Sequence, residues 1–144
     1  MQNLNCLREG VYYHYSNELF KIGDRLLARR KQVFQNAGWE YKFVERVFEE
    51  VRQSEFPTRP SRLSSVFVLT DPEFFGGRQY LYRIKCDGEM FETDQLLYTG
   101  AMRRPSKRLN VEELAREYWL AESVLYFPEV LVDGEVIVVS ILTD

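Results

Sequence analysis

The sequence predicts an α+β fold: a curved, mainly antiparallel β-sheet with flanking helices. Three observations carry this. Short runs rich in Val, Ile, Tyr and Phe outnumber the helical stretches, and several alternate in the period-2 pattern of a half-buried strand. Helix and strand signals follow one another in mixed order along the chain. Asp133-Gly134, set between two apolar runs, is the sharpest hairpin signal present. With 144 residues, 45% of them hydrophobic, the chain is expected to form one domain over residues 1–144 with a sizeable core.

The elements follow in order. Residues 11–15 read as a strand, and Gly23-Asp24 marks a turn. Residues 39–53 read as a helix, because Val44, Val47, Phe48 and Val51 fall at i, i+3, i+4 and i+7. Pro57 and Pro60 end it and force an extended connection. Residues 65–70 suit a buried strand, and Asp71-Pro72 starts a helical turn that Gly76-Gly77 closes. Residues 80–85 alternate, with Tyr80, Tyr82 and Ile84 on one face, and Asp87-Gly88 is expected to turn the chain. Asn110, with Glu113 three residues on, is expected to cap a helix whose stripe is Leu114, Ala115, Tyr118 and Trp119. Strands at 124–132 and 135–141 close the chain around the Asp133-Gly134 hairpin. Trp39 and Trp119, both on helical stripes, are expected in the core.

Composition narrows the function. Aromatics make up 15% of the chain, so it is globular rather than disordered. A net charge of -3 supplies no general attraction for nucleic acid, and the basic stretch 103–108 reads as a solvated loop. No run approaches the ~20 apolar residues of a membrane span. The N-terminal residues lack the basic and apolar regions of a signal peptide, so the cytoplasm is the expected location. Cys6 and Cys86 are far apart and form no CxxC pair; free thiols are the simpler reading. With a single histidine, His14, sites needing two imidazoles are excluded. Cys-His catalysis would have to pair Cys86 with His14 itself. Gly76-Gly77 lacks the other glycines of a dinucleotide loop, and neither a phosphate-binding P-loop nor a GxSxG elbow is present. The carboxylates Asp87, Glu89, Glu92 and Asp94 cluster without calcium-loop spacing, so an acidic loop is expected rather than a metal site.

One ordered set of short motifs remains. These are Tyr13-His14-Tyr15-Ser16 with Gly23-Asp24 behind it, Val66-Phe67-Val68-Leu69-Thr70, Tyr82-Arg83-Ile84 with its acidic tail, and Glu129-Val130-Leu131-Val132. In this order they resemble the ADP-ribosyltransferase superfamily, in the branch that carries His, Tyr and a carboxylate on three strands. The rifamycin ADP-ribosyltransferase group is the nearest pattern. Through Pro60-Ser61-Arg62 and Tyr118-Trp119 the chain is also similar to a bacterial family catalogued as a domain of unknown function.

The superfamily resemblance implies a split β-sheet and NAD as substrate. It also implies transfer of ADP-ribose to an acceptor (protein, nucleic acid or small molecule) that the sequence does not identify. Catalytic roles would fall to His14 and to Glu129 or Asp94, and NAD contacts to His14, Tyr13, Tyr15, Ser16, Arg62 and Phe67. His14 would hold a ribose hydroxyl, Arg62 the pyrophosphate, and the carboxylate the developing positive charge. Two positions depart from the pattern: Phe67 stands where the motif has Tyr, and Tyr15 where Gly is usual. They favour the alternative, a module that keeps the NAD-binding fold without catalysis. Loops 57–64 and 99–109 are the expected places for acceptor choice.

Overall fold

Two long strands, β4 (Tyr80–Asp94) and β5 (Pro128–Ile141), run antiparallel from Tyr82 opposite Ile141 to Asp94 opposite Pro128. The computed structural model describes residues 11–73, 78–103, 108–122 and 125–143; among these are five strands and four helices. β1 (Tyr12–Ser16) pairs with the start of β4. β3 (Val66–Val68) and β2 (Arg25–Leu26) pair with successive stretches of the other edge of β5. Every ladder is antiparallel. The sheet curls far enough that Tyr13 and Leu69 exchange both backbone hydrogen bonds at 2.8 Å, bringing β1 against the chain just past β3.

Neither Asp-Gly pair is a turn. Asp133-Gly134 lies in the middle of β5, and Asp87-Gly88 lies opposite it in the middle of β4, with Gly88 facing Gly134. Gly88 has φ +137, and a Cβ added there would stand 2.5 Å from the Asp133 carbonyl oxygen. A Cβ on Gly134 would overlap the Asp87 carbonyl. The glycines let two continuous strands approach closely and bend where any side chain would hold them apart. The expected hairpin is therefore replaced by one strand, and the expected acidic loop is strand as well. Of the expected strand at 124–132, the structure has the part from Pro128 onward.

Each face of the sheet builds its own core. Inside the curl, Tyr12, Val66, Val68, Tyr82, Ile84, Met90, Val130, Val132, Val136 and Val138 pack together with Cys86. On the outer face, Phe91 and Leu131 meet the helices α2 (Trp39–Glu55), α3 (Gln95–Arg103) and α4 (Arg108–Leu120). The α2 stripe is buried as expected, and the helix ends at Glu55, with Phe56 as its C-cap just before Pro57. Trp119 is in the core, but Trp39 is 65% exposed: it is the first residue of α2, ahead of the buried stretch that begins at Val44. α4 starts at Arg108, so Asn110 sits inside its first turn rather than before it.

Two helices were not anticipated. α1 (Arg30–Asn36) has no buried residue, so its sequence carries no stripe. α3 occupies much of the stretch expected as loop 99–109. Its Thr99 and Gly100 are poor helix formers, and it is held by docking Tyr98 and Ala101 against the outer core. The motif residues Phe75 and Gly76-Gly77, and Cys6, lie outside the described residues. No described helix is long and apolar enough to cross a membrane.

Candidate functional site

The period-2 alternation of β1 buries Tyr12 in the inner core and brings His14, two residues on, half-buried to the rim. Nδ1 of His14 donates to the Phe67 carbonyl at 2.9 Å, tying β1 to β3. That bond assigns the proton to Nδ1 and leaves Nε2 as an acceptor. Burial lowers the imidazole below its ordinary 6.5; the bond to Phe67 offsets this in part, and Arg78 and Arg29 lower it further. His14 is therefore a neutral imidazole near neutral pH.

His14 and Phe67 stand where two cavities adjoin. One, of about 400 Å³, is also lined by Tyr15, Ser16, Val33 and three arginines, Arg29, Arg30 and Arg78. The other, of about 290 Å³, shares His14, Tyr15, Arg30, Phe67 and Arg78 and adds Gln95, Phe127 and Glu129. Together they form a cleft of the size that takes a small organic ligand. Arg29 pairs with Glu18 at 2.7 Å, whereas Arg78 has no ion pair among the described residues. The Tyr15 hydroxyl donates to the Pro72 carbonyl, which turns its ring toward the chain that follows β3.

Glu129 is the second residue of β5, and its two oxygens have different surroundings. Oε2 accepts from the Tyr118 hydroxyl at 2.7 Å and from Arg62 Nη1 at 3.1 Å. Oε1 has no hydrogen bond among the described residues, yet it is not among the buried unpaired atoms, so it is the oxygen open to the cavity. Behind it, Arg62 is only 1% exposed. Its Nε bonds both oxygens of Glu45 at 3.1–3.2 Å, its Nη1 also donates to Tyr118 at 2.6 Å, and its guanidinium lies 3.7 Å from the Tyr98 ring centroid. Burial works against the guanidinium charge, but Tyr118, Glu45 and Glu129 outweigh it and keep Arg62 firmly protonated. The Pro60-Ser61-Arg62 and Tyr118-Trp119 elements, far apart in sequence, meet in this network.

The structure thus brings His14, Tyr15, Ser16, Phe67 and Glu129 to the cleft, and leaves three expected residues out of it. Arg62 lines neither cavity; its Nε and Nη1 are turned inward to two carboxylates while Nη2 is buried without a partner, so it is placed to hold Glu129 rather than to meet a pyrophosphate. Asp94 is buried and acts as a backbone clamp: Oδ1 accepts from the Leu96 and Phe127 amides, and Oδ2 from the Tyr126 amide, at 3.0–3.2 Å. That fixes the start of α3 and the approach to β5, and Asp94 lines neither cavity. Tyr13 alternates away from His14 and lines neither cavity.

The cleft arginines Arg29, Arg30 and Arg78 were not singled out from sequence. Their signal was slight: an Arg-Arg pair after a turn, and one Arg after a Gly-Gly pair. Cys86 is a free thiol in the inner core, and burial pushes it up to about 12, so it offers no thiolate to pair with His14. No group of three metal-ligating side chains converges among the described residues.

This strand-built cleft, backed by a buried Arg-Glu-Tyr network, belongs to an α+β domain class of antiparallel sheet and helices. The chain belongs to the family described as "Protein of unknown function (DUF2441)", whose model matches residues 2–144. No curated protein matches it.

Proposed function

We propose that the cleft binds NAD and that the protein transfers ADP-ribose from it to an acceptor. The observation that carries this reading is the meeting of His14 on β1, Phe67 on β3 and Glu129 on β5 at one cavity. Cleaving the bond between nicotinamide and ribose builds positive charge on the ribose, as in glycoside hydrolysis. A carboxylate held rigidly beside that carbon stabilises the charge, and rigidity is what Arg62 and Tyr118 give Glu129. Oε1, still free, accepts a hydroxyl of the same ribose. Neutral His14 accepts a second hydroxyl at Nε2 without changing its protonation state. Arg78, rather than Arg62, is the cation available to the pyrophosphate. In this reading the fold is of the ADP-ribosyltransferase kind.

A second reading, an NAD-binding module without turnover, is favoured by one observation. Glu129 already shares its charge with Arg62 at 3.1 Å and is 4% exposed, which blunts the field it can offer a cation. Two measurements separate the readings. Melting temperature with millimolar NAD rises in both, because a ligand of the folded state stabilises it by mass action. Nicotinamide release, followed with candidate acceptors added, occurs only in the first. No thermal shift removes both readings.

A further inference from the structure

We propose that Arg30 is a built-in occupant of a cation-binding subsite in the cleft, and that a ligand entering the subsite must bring a positive charge of its own to replace it. The guanidinium of Arg30 lies 4.8 Å from the Phe67 ring centroid and 5.8 Å from that of Tyr98. Its Nη1 donates to the Tyr41 hydroxyl at 2.9 Å and stands 3.9 Å from Glu45 Oε1. Arg30 lines both cavities, so it occupies the ground they share. Aromatic faces with a carboxylate behind them select planar cations.

The charges in the network explain why the occupant must be cationic. Glu45 and Glu129 are both buried, and among the described residues Arg62 is the one buried cation between them. Arg30 is the second cation, reaching Glu45 from the cleft side with its side chain 29% exposed. A neutral molecule that displaced Arg30 would leave two buried carboxylates sharing the single charge of Arg62; a cation restores the balance.

Displacement is also mechanically easy. Arg30 is the first residue of α1, a seven-residue helix with no buried side chain and no side-chain cap. Few contacts besides those of Arg30 fasten it, so the arginine can swing out without disturbing either core. The ligand class is a planar organic cation, such as a pyridinium or a guanidinium. This deepens the NAD reading, on which it rests only for the name of the natural ligand: the nicotinamide of oxidised NAD is a pyridinium cation, whereas reduced NAD is uncharged there.

The test uses 1-methylnicotinamide as a pyridinium cation and nicotinamide as its neutral counterpart. Both are titrated calorimetrically into wild type, Arg30→Ala and Arg30→Gln, with NAD run in parallel. The cation is expected to bind both variants roughly tenfold or more tightly than wild type, the scale of a desolvated cation-on-ring contact, with no such gain for nicotinamide. Guanidinium at low millimolar concentration should also raise the melting temperature of Arg30→Ala relative to matched sodium chloride, and leave wild type unchanged. Equal cation affinity in all three proteins, or an equal gain for the neutral ring, overturns the proposal. If the variants gain the cation but none of the proteins binds NAD, the subsite stands and the NAD reading falls. If NAD binds all three alike, the NAD reading stands and the role of Arg30 falls.

Discussion

Glu129 is held by one oxygen and open at the other, and that asymmetry makes the sharpest residue-scale prediction. Glu129→Gln keeps the size and much of the hydrogen bonding but removes the charge. It should lower nicotinamide release by a factor of ~100 or more while leaving NAD affinity nearly unchanged, the scale of losing one electrostatic stabiliser. Asp94→Asn, at a backbone clamp away from the cleft, should lower the melting temperature and spare release per folded molecule. If Asp94→Asn abolishes release in folded protein, the wrong carboxylate has been assigned. His14 makes a prediction about pH. Its folded value lies below the ordinary 6.5, so on acidification the unfolded chain takes up the proton first. The stability tied to this residue is intact above about 6.5 and is lost as pH falls below it toward the folded value. Melts across that range should show a decline that His14→Asn flattens. NAD affinity should hold through most of that range and weaken only as pH nears the lowered folded value, because Nε2, once protonated, cannot accept a hydrogen bond.

Among the elements, the glycine crossing of β4 and β5 matters most, because it lets both strands run on and bend around the cleft. Gly88→Ala would force a Cβ to within 2.5 Å of the Asp133 carbonyl oxygen at a backbone φ of +137. The expected cost is at least about 1–3 kcal/mol, from clash and backbone strain together. Urea denaturation measures it; a midpoint unchanged from wild type would mean the strands do not depend on this close approach. The crossing was legible in the sequence. A two-residue hairpin at 133–134 would put 130, 132, 135 and 137 on one face. The valines instead stand at 130, 132, 136 and 138, in unbroken phase, as a continuous strand requires. The turn chemistry of Asp-Gly outweighed a periodicity that was pointing the other way.

On the scale of the molecule, Arg62 is the tie between layers. It joins Glu45 on α2, Tyr118 on α4, the Tyr98 ring on α3 and Glu129 on β5. Arg62→Met removes the cation and leaves two buried carboxylates facing each other. The expected loss is about 3–5 kcal/mol, as for breaking a buried ion pair from one side. Arg116→Met removes a half-exposed pair with Glu55 and should cost no more than about 1 kcal/mol. Comparing the two urea midpoints tests whether Arg62 organises the molecule; equal shifts would reduce it to an ordinary ion pair.

The sequence by itself determined what depends on local periodicity and composition. The α+β class, the α2 stripe from Val44 to Val51, the buried run at Val66–Val68 and the strand around His14 follow from side-chain spacing alone, because the pleat and the helical turn repeat over a few residues. His14 stood out as the one imidazole of the chain, whereas Glu129 was singled out only through the motif order of the resemblance. What a charged side chain faces depends on elements that close over it from far along the chain, so the tertiary structure alone decided the rest. It turned Arg62 inward by bringing in Glu45 from 17 residues away and Glu129 from 67 residues away. It spent Asp94 on backbone amides 32 and 33 residues on. It set Arg30, on a helix without an apolar stripe, over Phe67, because only the curled sheet and the packed helices bring those two side chains to one cleft.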